Sequence, residues 1–245
     1  MFNPYFLFQH NQGGKLIIVL FGESNSGGIA PNSSATSLEM SARNIKILNN
    51  NTLEFENLQL GVNNLIGHIG LESYWYDSHG MENQLANLYD AGFFGGKEVY
   101  IVKAGRGGSK VSDWVQGSQA YNNLQTRLNT AIELVFGNEI PNIKFMLTLG
   151  INDYLAGTSP SDYKSGVENL LSNVKEDYPH NFNLRLMKFD FVTSSASNAY
   201  SNQILQIPND ISGVTVFNTV GCSVLPDGNH LDYLGMKSAT NKFLD

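Results

Sequence analysis

One cysteine, Cys222, stands in 245 residues, so no intramolecular disulfide can form and a disulfide-stapled fold is excluded. Cys222 reads as a buried, inert thiol. Charge is also scarce: 15% of residues are charged, and the balance is acidic, −7 at pH 7. There is no basic run. Nucleic acid and anionic membrane surfaces are therefore poor partners. No apolar stretch approaches the roughly 20 residues of a membrane span, so membrane insertion is not expected. Residues 1–14 lack a basic segment ahead of their apolar residues and make a poor secretory signal. The compartment stays open between extracellular, periplasmic and cytoplasmic settings, and the oligomeric state is open too. With only seven prolines, no low-complexity linker and no internal repeat, residues 1–245 read as one domain, with residues 1–14 as an N-terminal arm.

In place of charge the chain carries Asn, Ser and 24 glycines. Such a surface suits hydrogen bonding to polar, uncharged ligands such as sugars. A length of 245 residues supports a sizeable single core. Apolar runs at Lys15–Leu20, Glu98–Lys103, Ile143–Leu149, Leu184–Phe189 and Val214–Asn218 are short and β-branched, as buried parallel strands are. Between them lie amphipathic segments. Met81, Leu85, Leu88 and Tyr89 share one helical face, as do Leu124, Leu128, Ala131, Ile132 and Val135, and again Tyr163, Val167, Leu170, Leu171 and Val174. A short helix near Ala199–Gln206 and a final one from about Asp232 to Phe243 complete the series. Ile45–Leu48 and Thr52–Phe55 form a small hairpin around Asn49-Asn50-Asn51. Residues 56–79 read as a long functional loop. The alternation implies right-handed βαβ units: an α/β fold whose central sheet is mostly parallel and has about five strands.

Ligands bind such sheets at the carboxyl ends of the strands. There the first strand delivers Gly22-Glu23-Ser24-Asn25. A serine needs an adjacent base to act as a nucleophile. Among five histidines, His230 stands just before the last helix, three residues after Asp227 across a glycine turn. That spacing lets the carboxylate reach Nδ1 and leaves Nε2 free for a proton. Two further strand ends offer donors for an oxyanion: Gly105-Arg106-Gly107-Gly108 and Gly150-Ile151-Asn152. The Ser24 N–H is a third.

These blocks, in this order, resemble those of the SGNH (GDSL-like) hydrolases. Gly22-Glu23-Ser24-Asn25 is similar to the Gly-Gln-Ser-Asn of the carbohydrate O-acetylesterase branch, which includes sialate O-acetylesterases and acetylxylan esterases. His79-Gly80-Met81-Glu82 and Lys103–Ser109 with Trp114 resemble further segments of that branch. The resemblance implies a three-layer α/β/α sandwich of flavodoxin-like type, with Ser24 as nucleophile and His230 as base. It makes Asp227 the partner of His230, and places the Ser24 N–H, Gly107 or Gly108, and Asn152 in the oxyanion hole. It also implies an acetylated carbohydrate as substrate and no metal or organic cofactor. Asn25, Glu82, Arg106 and Trp114 are expected substrate contacts. Glu23 departs from the Gln or Asp usual in the family, and Gly150-Ile151-Asn152-Asp153 matches general SGNH enzymes more than the acetylesterase branch.

Plainer roles compete with these. Ser24 could cap a helix, Ser26 is a rival nucleophile, and Asn152 could form an Asx turn. Trp114 could pack, and Glu82 could serve the start of its helix. A lipase- or thioesterase-like acyl hydrolase and a non-catalytic carbohydrate-binding module are the alternatives at the level of function.

Overall fold

The computed structural model describes residues 14–35, 44–60, 62–63, 67–68, 71–74, 77–192 and 195–245; the expected N-terminal arm lies almost wholly outside them. The strands of the central sheet are β1 (Lys15–Gly22), β2 (Lys46–Leu48), β3 (Phe55–Asn57), β4 (Glu98–Gly107), β5 (Ile143–Thr148), β6 (Leu184–Lys188) and β7 (Val214–Asn218). They lie in the order β7-β6-β5-β1-β4-β2-β3. All neighbours are parallel except β2 and β3, which are antiparallel. The helices are α1 (Met81–Asp90), α2 (Gln119–Phe136), α3 (Ile151–Ala156), α4 (Pro160–Asp177), α5 (Ser195–Ile204), α6 (Ile207–Asp210) and α7 (Tyr233–Leu244).

β1 shows why its run is continuously apolar. Ile17, Val19 and Phe21 point into one core layer, and Leu16, Ile18 and Leu20 into the other. The period of two is intact, but both faces are covered. α2, α4 and α5 pack on the first face through Leu124, Leu128, Val167, Leu171 and Ile204. α1 and α7 cover the second through Met81, Leu85, Met236 and Phe243. The result is the expected three-layer α/β/α sandwich. Helix starts follow local chemistry: Ser159 and Asp232 accept the N–H of Asp162 and Gly235 (3.1 and 2.8 Å), as N-cap residues do.

The sheet is wider than expected. The hairpin is not separate: Lys46 and Ile47 pair in parallel with Tyr100 and Ile101, and the buried Ile47 joins the second core layer. The region expected to be one long loop, 56–79, holds short strands instead. Gly67–His68 pairs in parallel with Arg106 and Gly107, Leu71–Tyr74 folds back on it, and Ser78–His79 pairs with Ala30–Pro31. Strands of two residues carry no legible periodicity.

β1 lies at the centre, between β4 and β5. Gly22 is in register with Gly105 of β4 and Thr148 of β5, so three strand ends meet where Ser24 begins a one-turn helix, Ser24–Gly27. Gly22 takes φ +115°, and a Cβ there would sit 2.0 Å from the Thr148 carbonyl oxygen. Gly22→Ala therefore combines backbone strain with a clash against a rigid strand. We expect a loss of about 3 kcal/mol or more, read from urea unfolding; a loss below about 1 kcal/mol would show that the strand ends can part.

Candidate active site

Ser24 enters the site from the one-turn helix after β1 and His230 from the loop before α7. Ser24 Oγ and His230 Nε2 are 2.8 Å apart. On the other side of the ring, His230 Nδ1 is 2.7 Å from Asp227 Oδ2. The second oxygen, Asp227 Oδ1, accepts the backbone N–H of Asn229 (2.9 Å) and of His230 (3.1 Å). The loop is closed beneath by Leu225 N–H to His230 O (2.8 Å) and Gly228 N–H to Leu225 O (2.9 Å). Partial burial raises the Asp227 carboxyl, but its hydrogen bonds from Asn229 and His230 and the attraction of His230 outweigh that and hold it below the ordinary range. An ionised Asp227 then favours the tautomer with hydrogen on Nδ1, leaving Nε2 as acceptor toward Ser24.

Asn25 explains how the two loops meet. It is fully buried. Its Nδ2 donates to Asn229 O (3.0 Å) and its Oδ1 accepts the Leu231 N–H (3.0 Å). One amide thus grips the backbone on both sides of His230, from the residue next to Ser24. This corrects the expectation that Asn25 contacts substrate: with no surface exposed and both ends of the amide engaged, it is a clamp.

Glu23, on the other side of Ser24, is buried as well. Its Oε1 accepts the Ile151 N–H (3.1 Å), and its Oε2 accepts the Asn152 N–H (3.1 Å) and Asn152 Nδ2 (2.6 Å). It ties the turn after β1 to the turn after β5. Asp153 makes the next tie, accepting the Val111 N–H (2.9 Å) beyond the glycine turn after β4. In that turn Gly107 still belongs to the strand, whereas Gly108 lies past its end with φ +76°. Asn152 itself is half-buried. Glu23, Asn25 and Asp153 therefore link the four loops. Of these, Glu23 is visible in the sequence only as a departure from the family pattern, and Asp153 only as the last residue of its block.

The structure separates the remaining expectations. Arg106 is half-buried at the end of β4. Trp114 is fully buried, stacked edge-on against Phe21 (5.8 Å) with its Nε1 donating to Ser109 Oγ (3.0 Å). Glu82 is also fully buried; it accepts the Gly80 N–H (2.8 Å) and pairs with Lys103 (3.0 Å). Neither reaches a surface a substrate could touch, so both take the plainer role. Ser26 donates to Glu23 O (2.6 Å) and points into the fold, where Gly105 lies against it. His79 is buried against the Tyr233 ring (5.7 Å) and His180 is exposed on a distant turn. The side chain of His68, and all of His10, lie outside the described residues.

Burial pushes the Glu23 carboxyl from an ordinary 4.5 up to about 7, against the opposing pull of its three N–H bonds and with a small further push from Asp153. A raised acid pKa means the folded chain holds this proton more tightly than the unfolded one. The stability from that proton is complete below 4.5 and is lost as pH rises through about 7. Measured against Glu23→Gln, wild-type stability should fall by on the order of 3 kcal/mol across that window. Urea unfolding at a series of pH values reads this; a difference that stays flat or grows with pH would contradict it.

The comparisons agree with the geometry. A family profile described as "Carbohydrate esterase, sialic acid-specific acetylesterase" matches residues 14–244. No curated protein matches the chain in sequence. Among solved structures, a protein from Arabidopsis thaliana superposes with a TM-score of 0.70 at 15% identity, covering 94% of this chain and 98% of that one. The structure of NanS gives 0.69 at 11% identity, covering 95% and 96%. A carbohydrate acetylesterase from Xanthomonas citri gives 0.62 at 9% identity, covering 93% of this chain and 54% of its own. At these identities the structural likeness speaks for the fold, and the family match speaks for membership. With strand ends, loops and profile in agreement over nearly the whole chain, the protein belongs to the carbohydrate esterase, sialic acid-specific acetylesterase family, and is a carboxylic ester hydrolase that removes O-acetyl groups from carbohydrate.

Proposed function

We propose that the chain deacetylates its carbohydrate substrate through an acetyl-serine intermediate formed on Ser24. The observation that carries this reading is the 2.8 Å contact between Ser24 Oγ and His230 Nε2. His230 Nε2 takes the Ser24 proton as Oγ attacks the acetyl carbonyl. The carbonyl π electrons move onto oxygen, and that oxyanion is met by the Ser24 N–H, the Gly108 N–H and Asn152 Nδ2. Gly108 is preferred to Gly107 because it lies beyond the strand ladder. The carbonyl re-forms as the bond to the sugar oxygen breaks, and His230 passes its proton to that oxygen. Water then repeats the sequence: it loses a proton to His230, attacks the acetyl carbon and releases acetate, and Ser24 Oγ recovers its proton. Asp227 keeps the imidazole in the required tautomer throughout.

The substrate class follows the family and the uncharged, Asn- and Ser-rich composition. Structural neighbours supply candidate activities to test: the Xanthomonas citri protein is a carbohydrate acetylesterase, and a Geobacillus stearothermophilus protein that superposes with a TM-score of 0.51 is an acetyl xylan esterase. The probes are O-acetylated sialic acids and acetylated xylan, with 4-nitrophenyl acetate as a generic ester.

Acetate release should fall at least roughly 1,000-fold in Ser24→Ala and in His230→Ala. Equal turnover by Ser24→Ala and wild type would sink the assignment. Asn25→Ala should lower kcat by roughly 10- to 100-fold, since it frees the backbone on both sides of His230; it should also cost about 1–3 kcal/mol of stability, chiefly through the buried Leu231 N–H left unsatisfied. Unchanged kcat in a folded Asn25→Ala would show that the loop needs no clamp.

A further inference from the structure

Glu23 presents a problem that the hydrolytic cycle does not solve. A carboxyl group is buried beside the proposed nucleophile, and every polar neighbour its two oxygens contact among the described residues is an N–H: Ile151 N, Asn152 N and Asn152 Nδ2. Three donors converge on one group, and an ionised carboxylate, which only accepts, satisfies all three without bringing a donor of its own. The 2.6 Å bond from Asn152 Nδ2 is short in the manner of a charge-assisted bond.

We propose that Glu23 is a positioning residue whose ionised carboxylate fixes the Asn152 side-chain amide in the orientation that serves the oxyanion. This rests on the reading of Ser24 and Asn152 given above. An amide nitrogen carries two hydrogens. Glu23 takes one, which sets the plane and the sense of the amide and aims the second. The same carboxylate holds the N–H of Ile151 and of Asn152, so the backbone that carries the amide is fixed from the same point. Neutral Glu23 would break this arrangement. Its hydroxyl would add a fourth donor and end the charge assistance of the bond from Asn152 Nδ2, which favours the Asn152 amide turning over to offer Oδ1 to that hydroxyl. In the turned state the atom held against Glu23 is oxygen, and the donor is aimed elsewhere.

The surroundings make this protonation reachable. The titratable groups facing Glu23 are Asp153 of α3 and Tyr163 of α4. Asp153 adds repulsion to the ionised form. Tyr163 is held well above its ordinary range by burial and donates its hydroxyl to Leu149 O (2.8 Å), so it stays neutral. Burial brings Glu23 itself to about 7. Protonation of Glu23 therefore lowers activity on the acid side by misaligning the donor.

The test is a double-mutant cycle of Glu23→Gln and Asn152→Ala on kcat for 4-nitrophenyl acetate, together with the pH profiles of the wild type and Asn152→Ala. If Glu23 works through Asn152, Glu23→Gln lowers kcat about tenfold or more with KM changed by less than about twofold, and makes little further difference once Asn152 is alanine. The ratio of kcat in the wild type to kcat in Asn152→Ala falls as pH drops through about 7, because neutral Glu23 no longer aims the amide. Additive losses in the cycle, or a ratio of wild type to Asn152→Ala that stays constant with pH, would overturn the proposal; the second holds even if Glu23→Gln fails to fold. Ser24→Ala run in parallel separates the two levels of inference. Full turnover by Ser24→Ala removes the site reading itself, whereas a dead Ser24→Ala with an additive cycle removes only the role of Glu23.

Discussion

A single hydrogen bond of 2.8 Å joins Ser24 Oγ and His230 Nε2 across 206 positions of chain. Each residue sits on a short loop, and a loop left alone has a large entropy to lose before it can hold such a contact. The fold removes that entropy in stages. The parallel sheet brings the ends of β1, β4 and β5 into register at Gly22, Gly105 and Thr148. Asn25 then grips the backbone on both sides of His230. Asp227 fixes the ring from the far side, with its other oxygen held by two N–H groups of its own loop. The residues before and after Ser24 are thus both spent on alignment: Glu23 toward the turn after β5, Asn25 toward the loop before α7.

That alignment is built from polar groups the core would otherwise exclude. Glu23, Asn25, Ser26, Glu82, Lys103 and Asp153 are all buried around the end of β1. Burial alone works against their charged forms, and it raises both Glu23 and Asp153 while lowering Lys103. The Lys103–Glu82 pair at 3.0 Å lies in the same layer. Breaking such a pair by removing one partner typically costs about 3–5 kcal/mol, although an apolar replacement of the whole pair can be neutral. These groups are therefore a poor route to stability and a good route to one unique arrangement of four loops. Burial pushes Glu23 up to about 7 while its three N–H donors pull it down, and the role proposed for it gives that cost in folding free energy a use in donor geometry.

What is legible in the sequence follows from the range of the forces involved. β1, β4 to β7 and the long helices are readable because their residues repeat a period of two or 3.6 against one core. Ser24, His230 and Asp227 are readable because strand ends and a three-residue spacing are local. The merging of the Lys46–Leu48 hairpin strand with β4 is not, since edge pairing depends on Ile47 meeting a distant strand. Strands as short as Gly67–His68 leave no pattern at all. Asn25, Trp114 and Glu82 carry polar atoms near a site and so read as substrate contacts; their partners lie at Asn229 and Leu231, at Ser109, and at Lys103, and nothing in one sequence announces such partners. Glu23 stands out only as an unexpected residue type, and its meaning requires three N–H groups from a turn 128 positions away.

The proposed mechanism depends on Ser24 as the nucleophile and on His230, held by Asn25 and Asp227, as the base that activates it. Covalent trapping with a fluorophosphonate ester, followed by intact mass and peptide mapping, probes both at once. One adduct is expected, on Ser24, forming in the wild type and lost or strongly slowed in His230→Ala. An adduct on Ser26 or elsewhere, or labelling of Ser24 at the same rate without His230, would overturn that assignment.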